Sequence, residues 1–212
     1  MIDGKQVIAL IPARGGSKSI PGKNLAPCAG RPLLTWTISA ARASKYIDEI
    51  AVTSDDDAIL TAATSEHTVT AIRRPVALAT DEAEMPPVIA HALEFYRYPI
   101  CVLLQPTSPL RTGEDIDGAL ELLVSSGTKT VTSVYESHAV VFDGTDPKRR
   151  QDRKPTLFLN GALYCFDVAR FRETHTLIDR DTLPYVMPQA RSVDIDHPVD
   201  MAVAAALIGT MR

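Results

Sequence analysis

The basic, glycine-rich segment at residues 13–24 is the first place where residue types and spacing suggest chemistry. Its sequence, ARGGSKSIPGKN, combines three glycines with three cations: Gly15, Gly16, Gly22, Arg14, Lys18 and Lys23. Glycines let the backbone bend tightly and present N–H groups to an anion, while Lys and Arg donate hydrogen bonds to phosphate oxygens. The spacing matches neither a P-loop nor a GxGxxG turn. We predict a phosphate site here, with a mobile basic surface loop as the alternative.

Two carboxylates late in the chain, Asp194 and Asp196, form the second candidate site, in the segment VDIDHPVD at residues 193–200. In an extended segment, side chains two residues apart lie on the same side. Carboxylates this close repel each other unless a cation or protons intervene, so they suit a hard metal ion such as Mg²⁺. Capping of the closing helix is the alternative explanation for Asp196, but it does not explain Asp194.

Polar residues that follow other predicted strands are weaker candidates. Gln105, in the proline-rich turn LQPTSPLR at residues 104–111, offers donor and acceptor groups, which suits recognition of a base or a sugar. Arg74 could also reach a ligand, although a solvated arginine is the simpler interpretation. The acidic run at residues 54–57 is better explained by helix capping than by metal binding. The five histidines show no metal-binding spacing, and the sequence has no GxSxG nucleophile motif.

Alternating strand and helix patterns in the first two-thirds of the chain provide the scaffold for these residues. The predicted strands are Val7–Pro12, Glu49–Thr53, Thr68–Ile72, Ile100–Leu104 and Thr128–Tyr135, and the predicted helices are Pro32–Ser44, Asp56–Glu66, Pro86–Tyr96 and Thr112–Ser125. This order predicts an α/β fold, with a mostly parallel sheet and helices on both faces. In such a sheet, ligands bind beyond the carboxyl ends of the strands, where the candidate residues lie.

The pattern changes after Glu136. Residues 143–156, DGTDPKRRQDRKPT, have the polar and charged composition of an exposed arm. Two more strands and an alanine-rich closing helix are predicted at Leu157–Phe166, Tyr185–Met187 and His197–Met211. We predict a single domain over residues 1–212, in which residues 136–165 contain an arm used in dimerisation.

Composition bounds the class of protein. A chain of 212 residues with 45% hydrophobic and 23% charged residues is typical of a soluble globular protein and excludes collagen-like, coiled-coil and wholly disordered chains. No apolar run reaches the ~18–20 residues of a membrane helix, and the first residues lack the pattern of a secretory signal. Three distant cysteines without a CxxC pair indicate neither a disulfide framework nor a zinc site. We therefore expect a cytoplasmic protein.

The charge distribution indicates a local anion site. The net charge of −4 argues against general nucleic-acid binding. Residues 4–47 nevertheless contain seven basic residues and no acidic one. A basic N-terminal quarter on an acidic protein favours one anionic ligand over a broad polyanion surface.

Together, these segments resemble the acylneuraminate (CMP-sialic acid) cytidylyltransferase family, the CMP-nonulosonate synthetases. In the family's order, the matching segments are IPARGGSKSIPGKN, GRPLLTWTI, RPVALATDEA, LLQPTSPLR, NGALY and VDIDHPVD, and they span residues 7–200. The resemblance implies a Rossmann-like nucleotidyltransferase fold and a homodimer. It also implies a reaction in which CTP and an acidic 2-keto sugar give a CMP-sugar and pyrophosphate, with Mg²⁺ as the cofactor.

The resemblance also implies roles for individual residues. The nucleotide contacts would be Arg14, Gly15, Gly16, Ser17, Lys18, Lys23, Asn24, Arg74 and Gln105. The sugar contacts would be Gln105, Asn160 and Tyr164, and the metal ligands would be Asp194 and Asp196. Arg14 and Lys23 are expected to stabilise the charge that develops during transfer, and Asp196 to accept the proton of the anomeric hydroxyl.

The identity of the sugar stays open in the sequence. The family usually carries Arg just before the NGA segment, where this chain has Phe158 and Leu159. An arginine there could bind the carboxylate of the sugar acid. Sialic, legionaminic, pseudaminic and Kdo-type acids are therefore all open. Another NTP-sugar nucleotidyltransferase and an inactive nucleotide-binding protein are the alternatives to this activity.

Overall fold

The structure, a computed structural model, describes residues 1–139, 149 and 152–210. Its strands are β1 (Val7–Pro12), β2 (Pro27–Cys28), β3 (Arg31–Pro32), β4 (Glu49–Ser54), β5 (Val69–Arg73), β6 (Ile100–Leu104), β7 (Thr130–Ser137), β8 (Thr156–Asp167) and β9 (Leu183–Val186). Its helices are α1 (Leu33–Ala43), α2 (Asp57–Ser65), α3 (Met85–Leu93), α4 (Gly113–Ser126), α5 (Val168–Thr174) and α6 (Pro198–Thr210).

In the described part of the chain, seven strands form one mixed sheet in the order β5-β4-β1-β6-β8-β7-β9, and β2 and β3 form a small separate ribbon. The pairs β1–β4, β1–β6, β4–β5 and β7–β9 are parallel. Of these seven described strands, only β8 runs in the opposite direction, because its pairings with β6 and β7 are both antiparallel. The predicted α/β class with a mostly parallel sheet is confirmed.

Helices cover both faces of the sheet, and β1 shows why. All six residues of β1 are buried. Val7, Ala9 and Ile11 pack into the core beneath α1, α2 and α4. Ile8 and Leu10 point the opposite way, into the core beneath α3 and α5. A strand buried on both faces reads as a continuous apolar run, which is the pattern that the sequence shows. Each fully buried Leu or Ile side chain stabilises the fold by roughly 1.5–3 kcal/mol.

The order of the strands places a ligand crevice between β1 and β6. From β1 the chain moves outward through β4 to β5, and then returns to β6 on the other side of β1. The connections after β1 and β6 therefore leave the sheet in opposite directions. In open α/β sheets, a crevice forms at this topological switch point, beyond the carboxyl ends of the strands.

Local signals explain most of the helix boundaries. Asp56 caps α2 by accepting hydrogen bonds from two backbone N–H groups, so the capping interpretation of the acidic run is confirmed. Thr112 and Asp115 form a capping box at the start of α4, and Gly127 ends that helix in the left-handed conformation. Helix α5 was not predicted, because its seven residues are too short to establish a periodic pattern.

Part of the predicted arm lies outside the described residues, which omit 140–148, 150 and 151. The flanking residues form the paired strands β7 and β8, with Ser137 opposite Thr156. The single-domain assignment and the dimerisation role of the arm stay predictions. Within the described part of the chain, no helix is both long enough and apolar enough to cross a membrane. The cytoplasmic location also stays a prediction.

Candidate active site

A crevice of about 400 Å³ opens at the carboxyl ends of β1 and β6. This volume falls in the range of ~300–1,000 Å³ that is typical of small-molecule sites. Its walls come from the basic loop (residues 13–24), the β5–α3 connection (residues 74–84), the turn after β6 and the segment that leads into α6. The predicted site residues in its lining are Arg14, Gly16, Ser17, Lys18, Lys23, Asn24, Arg74, Gln105 and Asp196.

The first two glycines of the basic loop have different surroundings. Gly15 donates its backbone N–H to the carboxylate of Asp55 at 3.0 Å, and a Cβ atom on Gly15 would lie only 2.8 Å from Asp56. Glycine is therefore needed at position 15 for close packing, and its N–H is already engaged within the protein. Gly16 lines the crevice, and a Cβ atom there would meet nothing within 4 Å.

Asn24 holds the two ends of the basic loop together. Its side-chain amide donates a hydrogen bond of 2.8 Å to the carbonyl of Arg14, ten residues earlier. Within the loop, the hydroxyl of Ser17 accepts a hydrogen bond from the N–H of Ile20 at 3.4 Å. These contacts set the shape of the loop and keep its cations at the mouth of the crevice.

One carboxylate, that of Asp81, pairs with two of the three loop cations. Arg14 lies 2.7 Å from one carboxylate oxygen of Asp81, and Lys18 lies 2.8 Å from the other. Arg14 also donates to the carbonyl of Thr80 at 3.0 Å. The hydrogen bond from Lys18, assisted by Arg14, holds the pKa of Asp81 below its ordinary value. The β5–α3 connection is thereby tied to the basic loop across the crevice.

Lys23, the third cation, pairs with the metal segment, residues 193–200, which carry the predicted metal ligands Asp194 and Asp196. Its ammonium group donates to the carbonyl of Ile195 at 2.7 Å and lies 3.4 Å from the carboxylate of Asp196. Ile195 is fully buried between its two acidic neighbours and packs beneath α6. Its burial fixes the backbone that carries both carboxylates. The basic loop and this segment therefore meet although they lie at opposite ends of the chain.

The alternative role of Asp196 as a helix cap is not supported. The carboxylate at the start of α6 that accepts backbone hydrogen bonds belongs to Asp200, which takes the N–H groups of Asp196 and His197 at 3.0 and 2.7 Å. The side chain of Asp196 instead faces Lys23 and lines the crevice.

Asp194 lies beside the turn after β6. The N–H of Ile195 donates to the carbonyl of Thr107 at 2.8 Å, which attaches this segment to the turn. Desolvation raises the pKa of Asp194 above its ordinary value, and the nearby carboxylate of Asp196 adds to this shift, whereas a hydrogen bond from Thr107 opposes it. Burial and the neighbouring carboxylate thus disfavour the charged form of Asp194, and the hydrogen bond from Thr107 offsets only part of this effect.

Arg74 forms part of the buried floor of the crevice. Only 4% of the residue is exposed, and its guanidinium group donates to the carbonyl of Thr53 at 2.6 Å. Desolvation lowers its pKa to about 10, an effect that Asp55 opposes and Arg14 reinforces. The solvated arginine expected from sequence is therefore wrong, since Arg74 is a buried cation that faces the site.

Gln105 lies where the crevice meets strand β8. Its carbonyl accepts hydrogen bonds from Thr37 and Arg111, which fixes the backbone after β6. Gly161 on β8 has a φ of +67°, and a Cβ atom there would lie 3.1 Å from the side-chain oxygen of Gln105 and 3.6 Å from Asp194. Gly161 therefore leaves room for both side chains.

Two predicted sugar contacts, Asn160 and Tyr164, lie outside the lining of the 400 Å³ crevice. Asn160 is buried and accepts a hydrogen bond of 2.5 Å from Ser133, while its amide donates to Ser192 at 2.9 Å. Both ends of its side-chain amide are thus hydrogen-bonded within the protein, and its contact with the sugar stays a prediction. Tyr164 is half-buried, and burial followed by the charge of Asp194 raises its pKa.

The carboxylates of Asp194 and Asp196 fit an Mg²⁺ ion that is coordinated jointly by the protein and by the phosphates of a substrate. In the described residues, no cluster of three or more acidic, histidine or cysteine side chains is arranged to hold a metal. The protein offers the two carboxylates of Asp194 and Asp196. Mg²⁺ is commonly bound by one or two carboxylates while substrate phosphates and water complete its shell, so two carboxylates beside a phosphate site are sufficient.

Sequence reasoning missed Asp81 and Thr80, which are partners of the loop cations, and Thr107, which is a partner of Asp194 and Ile195. Asp81 and Thr80 follow β5, and Thr107 follows β6, so all three lie beyond the carboxyl end of a strand. The same rule that indicated Arg74 and Gln105 could have found them. The pairing of Asp81 with Arg14 and Lys18 is different, because a contact across 63 to 67 residues leaves no signal in one sequence.

Comparison with known proteins identifies the family. A family model described as "Cytidylyltransferase" matches residues 8–183, which is most of the chain. The chain belongs to the cytidylyltransferase family. The match contains every predicted site residue except the two aspartates of the metal segment, and the family resemblance drawn from the sequence motifs is confirmed.

Relatives of this cytidylyltransferase-family chain include several with related names. The chain is 32% identical over 218 residues to an N-acylneuraminate cytidylyltransferase of Escherichia coli, with 95% of the chain and 52% of the relative covered. It is 31% identical to the CMP-N,N'-diacetyllegionaminic acid synthase of Legionella pneumophila, with 96% of both covered. The chain therefore spans about half the length of the first relative and nearly all of the second.

Solved structures with the same fold support the architecture of this cytidylyltransferase-family chain. A CMP:2-keto-3-deoxy-manno-octonic acid synthetase complexed with CTP superposes with a TM-score of 0.80 at 16% identity, covering 98% of this chain and all of that one. A 4-diphosphocytidyl-2C-methyl-D-erythritol synthase of Anaerococcus prevotii superposes with a TM-score of 0.71 at 17% identity, covering 98% of both chains. The Rossmann-like nucleotidyltransferase fold is confirmed.

Proposed function

We propose that the chain transfers the CMP group of CTP to an acidic 2-keto sugar and releases pyrophosphate. The observation that supports the proposal is the contact of Lys23 with Asp196 and Ile195, because it brings the basic loop next to the segment of Asp194 and Asp196 at the switch point of the sheet. Membership of the cytidylyltransferase family supports the choice of nucleotide.

The triphosphate would lie along the basic loop. Arg14, Lys18 and Lys23 would contact its oxygens, and Arg74 in the floor would add positive charge. Nucleotidyl transfer needs alignment of the reacting groups and compensation of negative charge more than it needs covalent catalysis. Asn24 would act indirectly, because its amide already holds the carbonyl of Arg14.

The proposed reaction is a substitution at the α-phosphorus. The oxygen of the anomeric hydroxyl forms a new bond to this phosphorus, and the bond from the phosphorus to the oxygen bridging to the β-phosphate breaks. Pyrophosphate leaves with that electron pair. The proton of the hydroxyl passes to a carboxylate, for which Asp196 is the proposed base because it lines the crevice beside Lys23 of the basic loop.

Asp194 and Asp196 would hold the Mg²⁺ ion. When bound, Mg²⁺ would supply positive charge that compensates the phosphate oxygens. Desolvation and the charge of the neighbouring carboxylate Asp196 raise the pKa of Asp194, and a bound cation would oppose both effects.

The sugar would bind on the β8 side of the crevice, beyond Gln105. The names of the relatives support an acid of the nonulosonate class, since they include N-acylneuraminate, N,N'-diacetyllegionaminic acid and, in Campylobacter jejuni at 27% identity, pseudaminic acid. Leu159, which stands where the family usually has Arg, is exposed and offers no charge to a sugar carboxylate. A Kdo-type acid is the alternative substrate.

We also propose that the active form is a homodimer built on the face of β8, β7 and β9. Leu159, Val134 and Val186 are register neighbours across these three strands, and both Leu159 and Val186 are exposed. Val134 is already buried, and burial of Leu159 and Val186 against a second copy would remove their apolar surface from water. Light scattering of Leu159→Asp should show a monomer; an unchanged dimer mass would remove this face from the interface.

The experiment that tests the activity measures pyrophosphate release. CTP, UTP and ATP would each be combined with sialic, legionaminic, pseudaminic and Kdo-type acids in the presence of Mg²⁺. Release that requires CTP together with one of the first three acids supports the proposal. Preference for UTP or ATP would exclude a cytidylyltransferase, preference for the Kdo-type acid would favour the alternative substrate, and CTP binding without any release would favour an inactive nucleotide-binding protein.

A further inference from the structure

The carboxylate of Asp81 contacts both cations at the mouth of the crevice, one with each oxygen. The distances to Arg14 and Lys18 are 2.7 and 2.8 Å, which are those of charge-assisted hydrogen bonds. A phosphate group presents oxygens to arginine and lysine in the same manner. Asp81 therefore makes, within the protein, the contacts that an anionic ligand would make.

Every cation of the basic loop at the crevice has a carboxylate partner in the structure. Asp81 takes Arg14 and Lys18, and Asp196 takes Lys23. The two carboxylates differ in what a nucleotide complex requires of them. Asp196 belongs to the proposed metal segment, where a carboxylate is needed. Asp81 is not a proposed metal ligand, and in a nucleotide complex its carboxylate would lie against the negative charge of the triphosphate.

We propose that Asp81 is an internal counter-anion, which occupies the phosphate contacts of Arg14 and Lys18 in the free protein and is displaced by the triphosphate of the substrate. The proposal rests on the proposed function, because it requires that these two cations bind phosphate. Asp81 would act through the two cations, without contact to the substrate. Its return to them would favour the departure of pyrophosphate after transfer.

The position of Asp81 in the fold allows this displacement. It lies in the β5–α3 connection, outside the strands and helices, and its side chain is 33% exposed. Besides the two ion pairs, the connection is held to the basic loop by the hydrogen bond of 3.0 Å from Arg14 to Thr80. Movement of this carboxylate therefore requires no change in the sheet.

The effect on affinity follows from competition for the same donors. A ligand that binds only molecules in which the cations are free has its affinity reduced by the fraction of such molecules. If about one molecule in ten has both cations free, removal of the carboxylate charge strengthens binding about tenfold. The opposite role, in which Asp81 holds the cations ready for the ligand, predicts weaker binding when the charge is removed.

The test measures binding of inorganic pyrophosphate and of CTP by calorimetry, without sugar. Asp81→Asn should bind both ligands about tenfold more tightly than the wild type. Asp81→Glu keeps the charge and should stay near the wild-type affinity. Glu82→Gln is the matched control, because it removes one charge from the neighbouring exposed residue, which does not line the crevice, and it should change affinity by less than about twofold.

Each outcome of this experiment has one meaning. Equal or weaker binding by Asp81→Asn than by Glu82→Gln overturns the counter-anion role while leaving the phosphate site in place. Absence of binding by the wild type overturns the phosphate site itself and the proposed function with it. Turnover adds a second measurement: added pyrophosphate should inhibit Asp81→Asn at concentrations about tenfold lower than the wild type, and equal inhibition would contradict the role in product departure.

Discussion

The ammonium group of Lys23 lies 3.4 Å from a carboxylate oxygen of Asp196, a residue 173 positions away in the chain. The same ammonium group donates to the carbonyl of Ile195 at 2.7 Å. The side chain of Lys23 is only 12% exposed. Through this contact, the position of the basic loop depends on the position of the metal segment, and a change at one side is expected to affect the other.

Lys23→Met should therefore destabilise the fold more than Lys18→Met. Lys23→Met leaves a buried carbonyl without its charged donor, which costs roughly 1.5–3 kcal/mol. Lys18 is 78% exposed, and its surface ion pair contributes at most ~1 kcal/mol. Denaturant unfolding of both variants measures the difference. Equal stability of the two variants would show that the Lys23 contact contributes no more than a surface ion pair.

Substitution of the two aspartates by asparagine should separate their roles. Asp194→Asn keeps an oxygen that can contact Mg²⁺, so activity should persist but require more metal. Asp196→Asn removes the proposed base, so activity should fall at least about 10²-fold and should not recover at high Mg²⁺. Activity against Mg²⁺ concentration, with thermal melts as the folding control, tests this. Full recovery of Asp196→Asn at high metal would assign it a metal role alone.

Gly161→Ala should reduce activity as well as stability. Both Gly161 and Gly127 have positive φ, +67° and +71°, so alanine at either position should cost roughly 1–2 kcal/mol of stability. Only at Gly161 would the new Cβ atom crowd Gln105, at 3.1 Å, whereas Gly127 has nothing within 4 Å. We expect kcat/KM to fall for Gly161→Ala and to be unchanged for Gly127→Ala. Equal kcat/KM for both would mean that Gln105 does not need its observed position.

The three thiols should be unreactive in the folded protein. Cys28, Cys101 and Cys165 are free and buried, and burial raises the pKa of each. At pH 8 the reactive thiolate form should therefore be scarce, and a thiol reagent should find no accessible sulfur. We expect rapid reaction of all three cysteines only after unfolding in denaturant. Rapid reaction of a native cysteine would show that one of these core regions opens.

Sequence patterns predicted the bounds of a strand well where both faces of that strand are buried. The predicted bounds of β1 and β6 match the structure, because a strand buried on both faces is a continuous apolar run. The direction of β8 was not predictable, since an antiparallel strand in a mixed sheet has the same apolar content as a parallel one. The ribbon of β2 and β3 is only two residues on each side and leaves no periodic signal.

Residues of the site were predictable where chemistry depends on residue type. Arg14, Lys23 and Asp196 were chosen because cations and carboxylates after strands suit phosphate and metal, and the structure brings all three into the lining of one crevice. Asn160 was assigned to the sugar from its motif, whereas the structure shows its amide satisfied by Ser133 and Ser192. Such a difference depends on where a side chain points, which one sequence does not specify.

The most direct test of the proposed activity is ³¹P NMR of a reaction containing the protein, Mg²⁺, CTP and a nonulosonic acid. We predict that the three CTP resonances decrease while pyrophosphate and one new phosphodiester resonance, that of the CMP-sugar, increase in equal amounts. Arg14→Ala should slow this conversion by at least about 10²-fold, while its melting temperature stays near that of the wild type. Pyrophosphate with free CMP and no phosphodiester, or conversion of UTP in preference to CTP, would contradict the account.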